Sequence, residues 1–441
     1  MNIIILILAN DDGFYPQCQS LWKSYMNTHP HIKSYFIKYK DELSTNVVLD
    51  NDTIYIKGKE TLIPGCLDKT IKSIQFILNE QCKFDYVFRT NMSSVVNLEK
   101  LYKHVQQHSY GYAGINGNCY GTRFISGAGI LMNKEVCNLL VENHECLNYN
   151  IIDDVAIGYL FNNLNIQFDT LTRIDTFEDE LENVNREIIQ NNYHFRCKAK
   201  SDYKNTLDIM KKIISIIYNE TIVRDMYVNL AKQNLSLLMQ NKYPNKISSD
   251  ICEHLITLYN YAKNCDSVFE TGVRGCISSW AFLNGLNDNC RTNKKHILLN
   301  DIDECNIADL MNVAEAIEVD VQYTWKNNLE LDITRTYDIV FIDTWHVYGQ
   351  LKRELENFSK ISNKYIIMHD TTVDEIYGET IRNSWDALLQ SKTSGIPVEE
   401  INKGLWPAIE EFIEKNNDWY IKERFTNNNG LTILARKTFL V

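Results

Sequence analysis

Residue types and spacings able to do chemistry fall into two sets along this chain. In the first half, Arg89-Thr90-Asn91-Met92-Ser93-Ser94 follows the apolar run Tyr86-Val87-Phe88. Further on come Ser126-Gly127-Ala128-Gly129 and then the acid pair Asp153-Asp154, which stands between Ile151-Ile152 and Val155-Ala156-Ile157-Gly158. Two acids at such a place either cap a helix, satisfying free backbone N–H groups, or take a proton from a bound hydroxyl. A polar cluster just after a buried strand is where ligands collect in open α/β sheets. In the second half, Glu270-Thr271-Gly272-Val273-Arg274-Gly275 follows Ser267-Val268-Phe269. Glycines at a strand-to-helix turn let backbone approach a ligand closely, although a plain tight turn needs them too. Asp301 ends the next apolar run, where a carboxylate can accept from ribose hydroxyls. Asp343-Thr344-Trp345-His346 and His369-Asp370 each close a further apolar run. His346 has an ordinary pKa near working pH and so suits proton transfer; a capping or packing histidine is the plainer alternative.

These groups need a scaffold, and the apolar pattern supplies one twice. The first half reads as a strand over Ile3–Ala9, a helix near Gln17–Met26, strands near Ser34–Ile37 and Thr53–Ile56, a helix near Leu67–Asn79, and the strand at Tyr86–Phe88. The second half reads as a helix near Ile251–Ala262 and strands at Ser267–Glu270, Ile297–Leu299, Tyr337–Ile342 and Tyr365–Met368. A closing pair, Trp419–Phe425 and Leu431–Ala435, is joined by Asn427-Asn428-Asn429-Gly430, a hairpin signal. Strands alternating with helices predict mainly parallel sheets covered by helices, so the fold class is α/β. Helical stretches at Ile209–Tyr218 and Met226–Leu238 predict a helical connector. The expected organisation is a domain over 1–200, a connector over 201–245 and a domain over 246–441.

Composition narrows the function classes. The 441 residues include 45 Lys plus Arg against 57 Asp plus Glu, a net charge of −12, which gives nucleic acid no overall electrostatic reason to bind. The 12 cysteines are dilute and include no Cys-x-x-Cys pair, so they read as small core residues of a reducing compartment. The run Ile3–Ala9 has no basic leader and no small-residue cleavage site, and no run reaches the length of a membrane span. The expectation is a cytoplasmic protein without a membrane span (host cytoplasm, if the chain is viral).

In order, strand-Arg89-Thr90-Asn91, then Ser126-Gly127-Ala128-Gly129, then Asp153-Asp154-Val155-Ala156-Ile157-Gly158 resembles the fringe-like β-1,3-glycosyltransferases of the GT-A fold and related enzymes of large DNA viruses. The resemblance covers about residues 1–200. It implies a mixed-sheet domain in which Asp154, with Asp153 beside it, is the base of an inverting sugar transfer. It also implies a nucleotide-sugar donor, UDP-sugar favoured, and a glycan or glycoprotein acceptor. One departure concerns metal. That family holds a manganese or magnesium ion through an Asp-x-Asp after this strand, and here Asn91 and its neighbours offer no carboxylate. Either Asn91 and other groups bind metal weakly, or protein cations neutralise the diphosphate. Arg89, Lys69, His194, Arg196 and Lys198 are the candidates, and alternation sets the last three on one face of an extended segment. Asn10 and Asp11 fall where such enzymes hold the nucleoside.

The four features of the second half, with the closing hairpin, resemble class I S-adenosylmethionine-dependent methyltransferases with a Rossmann-like fold, especially sugar and macrolide O-methyltransferases. The similarity spans about residues 250–440. In that branch the pattern is Phe-Ile-Asp-Gly-x-His-x-Tyr followed by an apolar strand and His-Asp; here Thr344 replaces the Gly, so a looser loop is expected. The resemblance implies S-adenosylmethionine contacts from Glu270, Gly272, Arg274, Asp301 and Asp343. It further implies a magnesium site at Asp343 and Asp370, with His369 as a further ligand, and His346 as base. The combined reading is a bifunctional enzyme that adds a sugar and methylates a sugar hydroxyl. Its rivals are a chain in which only the methyltransferase half is active and a non-catalytic glycan-binding scaffold.

Overall fold

The computed structural model of the chain describes residues 1–80, 82–119, 121–176, 185–198, 203–242 and 249–437. Contacts divide it into two units, Met1–Leu230 and Ala231–Val441. The expected connector limits near 200 and 245 lie outside the described residues. Within the connector, the helix Tyr203–Ile217 buries Ile209, Met210, Ile213 and Ile214 in the first unit's core. Its apolar stripe packs it into that unit.

The first unit's strands are β1 Ile3–Leu8, β2 Ile32–Lys40, β3 Val47–Asp50, β4 Thr53–Lys57, β5 Tyr86–Asn91, β6 Ser94–Val96, β7 Tyr112–Cys119, β8 Thr122–Asn133, β9 Phe168–Thr170, β10 Ile174–Asp175 and β11 His194–Arg196. Among the described residues the main sheet runs β3-β4-β2-β1-β5-β8-β7-β9, and a smaller sheet runs β10-β11-β6. β1 pairs in parallel with both β2 and β5, while β8 is antiparallel to β5, so the sheet is mixed. β1 is apolar throughout because it is covered on both faces. Ile3, Ile5 and Ile7 enter one core cluster, Ile4 and Leu6 the other, as period-two alternation requires. The chain leaves β1 toward β2 and later returns to β5 on the opposite side, which opens a crevice at their carboxyl ends.

The second unit's strands are β12 Ser267–Thr271, β13 Lys295–Asp301, β14 Val319–Trp325, β15 Tyr337–Ile342, β16 Ser362–His369, β17 Trp419–Phe425 and β18 Leu431–Arg436. Their order is β14-β13-β12-β15-β16-β18-β17. All neighbours are parallel up to β16; β18 is antiparallel to β16 and to β17. The crossover from β14 to β15 places the switch point between β12 and β15, again at carboxyl ends. Among the described residues, no helix is long and apolar enough to cross a membrane.

Candidate active sites

In the first unit the crevice is a cavity of about 460 Å³ lined by Ala9 and Asn10 after β1, by Arg89, Asn91 and Ser93 at β5, and by Gly127, Asp153, Asp154, Arg196 and Lys198. Arg89 is buried, and its guanidinium donates to the Gly127 carbonyl and pairs with Asp153. A Cβ at Gly127 would stand 2.5 Å from Arg89 Nη1, and one at Gly129 would collide with the His194 ring. The two glycines of Ser126–Gly129 thus make room for buried side chains. Asp153 and Asp154 open the helix Asp153–Asn163, whose N-cap is Ile152. Asp154 is differently placed from its neighbour: it accepts the Gly127 N–H at 2.9 Å and its own helix's Val155 N–H at 2.9 Å. Burial raises its pKa above the usual carboxylate range, with the Asp153 charge adding to this and the Gly127 N–H opposing it.

The other candidates of this unit separate. Arg196 and Lys198 line the cavity, as their shared face predicts. His194 does not: it is buried against Phe88 at 5.1 Å between ring centroids. Burial, followed by the like charges of Arg173 and Arg196, lowers its pKa to about 3, so it is a neutral packing group and no phosphate-binding cation. Lys69 reaches the cavity wall but is engaged by Glu60 at 2.7 Å and by the Ala9 carbonyl at 2.9 Å. Asp11 pairs with Lys38 at 2.6 Å, and Asn10 Oδ1 accepts the Asp12 N–H. Asn91 Oδ1 accepts the Ser93 and Ser94 hydroxyls, which makes it the organiser of its own turn. Among the described residues no His/Cys/Asp/Glu group of this unit gathers as a metal cluster would. The residues present do not fit the metal ion that the resembling family holds after this strand.

The second unit's crevice is a cavity of about 690 Å³, lined by Gly272, Arg274, Asp301, Ile302, Asn328, Asp343, Trp345, His346, Glu379 and Trp385 among others. Gly272 has φ +90, and a Cβ there would collide with the Asp343 carbonyl oxygen. Glycine is required because the β12 and β15 turns touch at this point. Asp301 Oδ2 accepts the N–H groups of Val273 at 2.8 Å and Arg274 at 2.9 Å, and Oδ1 accepts that of Asp303 at 3.1 Å. The carboxylate therefore clamps the glycine turn first, and Oδ1 keeps one lone pair for a ligand hydroxyl. Glu270 lies behind this wall, fully buried, accepting from Ser278 Oγ. Burial, with the Asp343 and Asp301 charges adding, pushes its pKa up to about 8 against the opposing Ser278 and Ser279 hydroxyls. It supports the turn from beneath.

At the other end of this cavity, His346 Nε2 lies 3.3 Å from Asp343 Oδ1 and 3.1 Å from Asp370 Oδ2, and its Nδ1 lies 3.2 Å from Asp374 Oδ2. His369 Nδ1 faces Asp343 at 3.5 Å and Asp370 at 3.2 Å. The donor atoms of Asp343, His346 and Asp370 all lie within 4.8 Å of one another, so the residues present fit a divalent cation. Burial alone would lower both imidazole pKa values, but the carboxylates outweigh it: His346 is driven well above its ordinary value and His369 up to about 10. Asp343 is correspondingly held far below the carboxylate range, its burial outweighed by bonds to both histidines. Both ring nitrogens of His346 face carboxylates and the ring is charged at neutral pH in this arrangement. That argues against the free general base expected from the sequence.

Sequence reasoning overlooks a buried network beneath this site. Glu354 Oε1 accepts from Thr344 Oγ1 at 2.6 Å, Asn328 Nδ2 at 2.6 Å and Gln350 Nε2 at 2.8 Å. Thr344, expected to loosen its loop, is thereby tied to the helix Tyr348–Phe358. It also overlooks Asp374, fully buried and gripped by Arg382 through bonds of 2.7 and 2.8 Å. The available signal is its spacing, one helical turn past Asp370.

No family model matches the chain. No curated protein matches it either. Among solved structures it is similar to the O-methyltransferase TomG of Streptomyces achromogenes involved in tomaymycin synthesis, in complex with SAM, at 13% identity and a TM-score of 0.30, over 47% of this chain and 89% of that one. It is also similar to an O-methyltransferase from Bacillus cereus in complex with SAH, at 15% identity and a TM-score of 0.31, over 47% of this chain and 90% of that one. A third is SAH-bound methyltransferase PaMTH1 of Podospora anserina, at 14% identity and a TM-score of 0.31, over 47% and 87%. Identity and TM-score are too low for any of these likenesses to bear on activity.

Proposed function

We propose that the second unit transfers a methyl group from S-adenosylmethionine to a hydroxyl, a sugar hydroxyl by the sequence resemblance. The observation that carries this reading is the single cavity at the β12–β15 switch point. It has a nucleoside-type end at Gly272, Asp301 and exposed Ile302, and a carboxylate–imidazole end at Asp343 and His346, with the buried Asp370 carboxylate 3.1 Å from His346 Nε2. Its volume suits a cofactor-sized ligand. In the reaction a hydroxyl oxygen bonds to the methyl carbon as the carbon–sulfur bond breaks, and the hydroxyl proton leaves to a carboxylate at that end. A divalent cation held by Asp343 and Asp370 would lower the pKa of that hydroxyl. Asp301 fixes the turn against which the donor lies, and the Glu354 network fixes Asn328 and Thr344 in the cavity wall. Incubation with S-adenosylmethionine and a panel of glycans tests the reading: acceptor-dependent release of S-adenosylhomocysteine supports it, and none with any hydroxyl acceptor counts against it.

For the first unit we propose glycosyl transfer from a nucleotide-sugar, with Asp154 as base. The favouring observation is the unequal treatment of the acid pair: Arg89 neutralises Asp153, while Asp154 lines the cavity with a raised pKa. A screen of UDP-, GDP- and dTDP-sugars read by mass spectrometry tests it, and the absence of both transfer and donor hydrolysis would favour the reading in which only the second unit is active.

A further inference from the structure

The donor set at the inner end of the second cavity is chemically specific. Magnesium takes oxygen ligands almost exclusively, whereas an imidazole among the donors favours manganese, iron, cobalt, nickel or zinc. His346 brings such a nitrogen between two carboxylates, 3.3 Å from Asp343 Oδ1 and 3.1 Å from Asp370 Oδ2. Donors about 3.0–3.4 Å apart are the edges of a tetrahedral or octahedral shell with bonds of about 2.1 Å.

The surroundings point the same way. His369 Nε2 lies 3.1 Å from the Asn428 carbonyl oxygen, and its Nδ1 faces Asp343 at 3.5 Å and Asp370 at 3.2 Å. His346 Nδ1 lies 3.2 Å from Asp374 Oδ2, a carboxylate that Arg382 holds through both oxygens. Two imidazoles and two carboxylates thus converge on one buried volume that favours positive charge, and a bound cation would take the place of the ring protons there. Arg382–Asp374–His346 has the form of an outer layer that fixes the tautomer and aim of a metal-ligating histidine.

We propose that Asp343, His346 and Asp370 bind a transition-metal divalent cation in preference to magnesium, with Asp374 and Arg382 as positioning residues for His346. The inference rests on reading this cluster as the acceptor end of the methyl-transfer cavity, and its test needs neither methyl donor nor acceptor. Full-length protein, stripped with chelator, is titrated with cobalt(II), manganese(II) or magnesium alone by calorimetry, and the cobalt(II) form is followed by visible absorption. The expected result is one cobalt(II) per chain, bound at least tenfold more tightly than magnesium. His346→Ala removes that preference and changes the spectrum. Asp374→Asn, which keeps the side chain's shape, weakens cobalt(II) binding by about 10- to 100-fold. If His346→Ala fails to fold, as judged by circular dichroism, Asp374→Asn decides alone. Magnesium binding as tight as cobalt(II), wild-type cobalt(II) affinity in the folded variant that decides, or no binding of any of the three ions would overturn the proposal. Loss of metal binding with S-adenosylmethionine binding intact would sink this inference and leave the methyl-transfer reading standing.

Discussion

Replacing Asp301 by Ala should loosen the β12 turn by an amount the structure sets. The carboxylate holds the Val273 and Arg274 N–H groups at 2.8 and 2.9 Å from a position only 7% exposed. A hydrogen bond to a charged group contributes about 1.5–3 kcal/mol. Val273 is buried and its N–H finds no replacement, while Arg274 is exposed and water takes over part of its bond. The sum is about 2–3 kcal/mol of local stability. If these amides exchange by local opening, that loss speeds their exchange by about 30- to 150-fold. Hydrogen–deuterium exchange read by mass spectrometry on a peptide spanning 271–276 measures it directly. Asp301→Asn keeps an acceptor oxygen without the charge and should give an intermediate rate. Exchange in Asp301→Ala within about threefold of wild type would refute the assignment of Asp301 as the clamp of this turn.

Four further outcomes are expected. Asp154→Asn should abolish sugar transfer with donor affinity retained. In the wild type, transfer should fall as pH drops through a point above the ordinary carboxylate range, because burial raises the Asp154 pKa and the base is lost on protonation; a pH profile of initial rates checks both. Glu270 has a folded pKa of about 8, above its unfolded value, so its contribution to stability is complete at low pH and is lost as pH rises toward and through 8. Melting temperatures of the wild type should show that decline and those of Glu270→Gln should be flatter, whereas identical slopes would contradict it. Sugar transfer should survive EDTA, since the first cavity lacks paired carboxylates, and full loss restored by manganese would show that reading to be mistaken.

Much of the scaffold was legible because strand ends and chemistry coincide. Apolar runs that stop at Asn10, Arg89, Glu270, Asp301, Asp343 and His369 mark six of the strand ends, and the Asn-Gly hairpin joins β17 to β18. Less legible was β14, whose Val319-Asp320-Val321-Gln322 alternation belongs to an edge strand with polar residues facing out. What the sequence could not rank was partnership. His194 and Arg196 share one strand and look equivalent, yet packing on Phe88 takes His194 into the core. Asp153 and Asp154 are neighbours, and only the depth of Arg89 separates their roles. Glu354 reads as one more acid on an amphipathic helix, because the groups that bury it, Asn328 and Thr344, come from distant loops.

The central claim is that the cavity between β12 and β15 binds S-adenosylmethionine, and calorimetric titration of that compound into the full-length, monodisperse protein tests it most directly. One binding event per chain is the predicted result, strongly weakened in Asp301→Ala and preserved in Asp154→Asn. A folded protein that gives no heat of binding, or that binds equally well after Asp301→Ala, would contradict it.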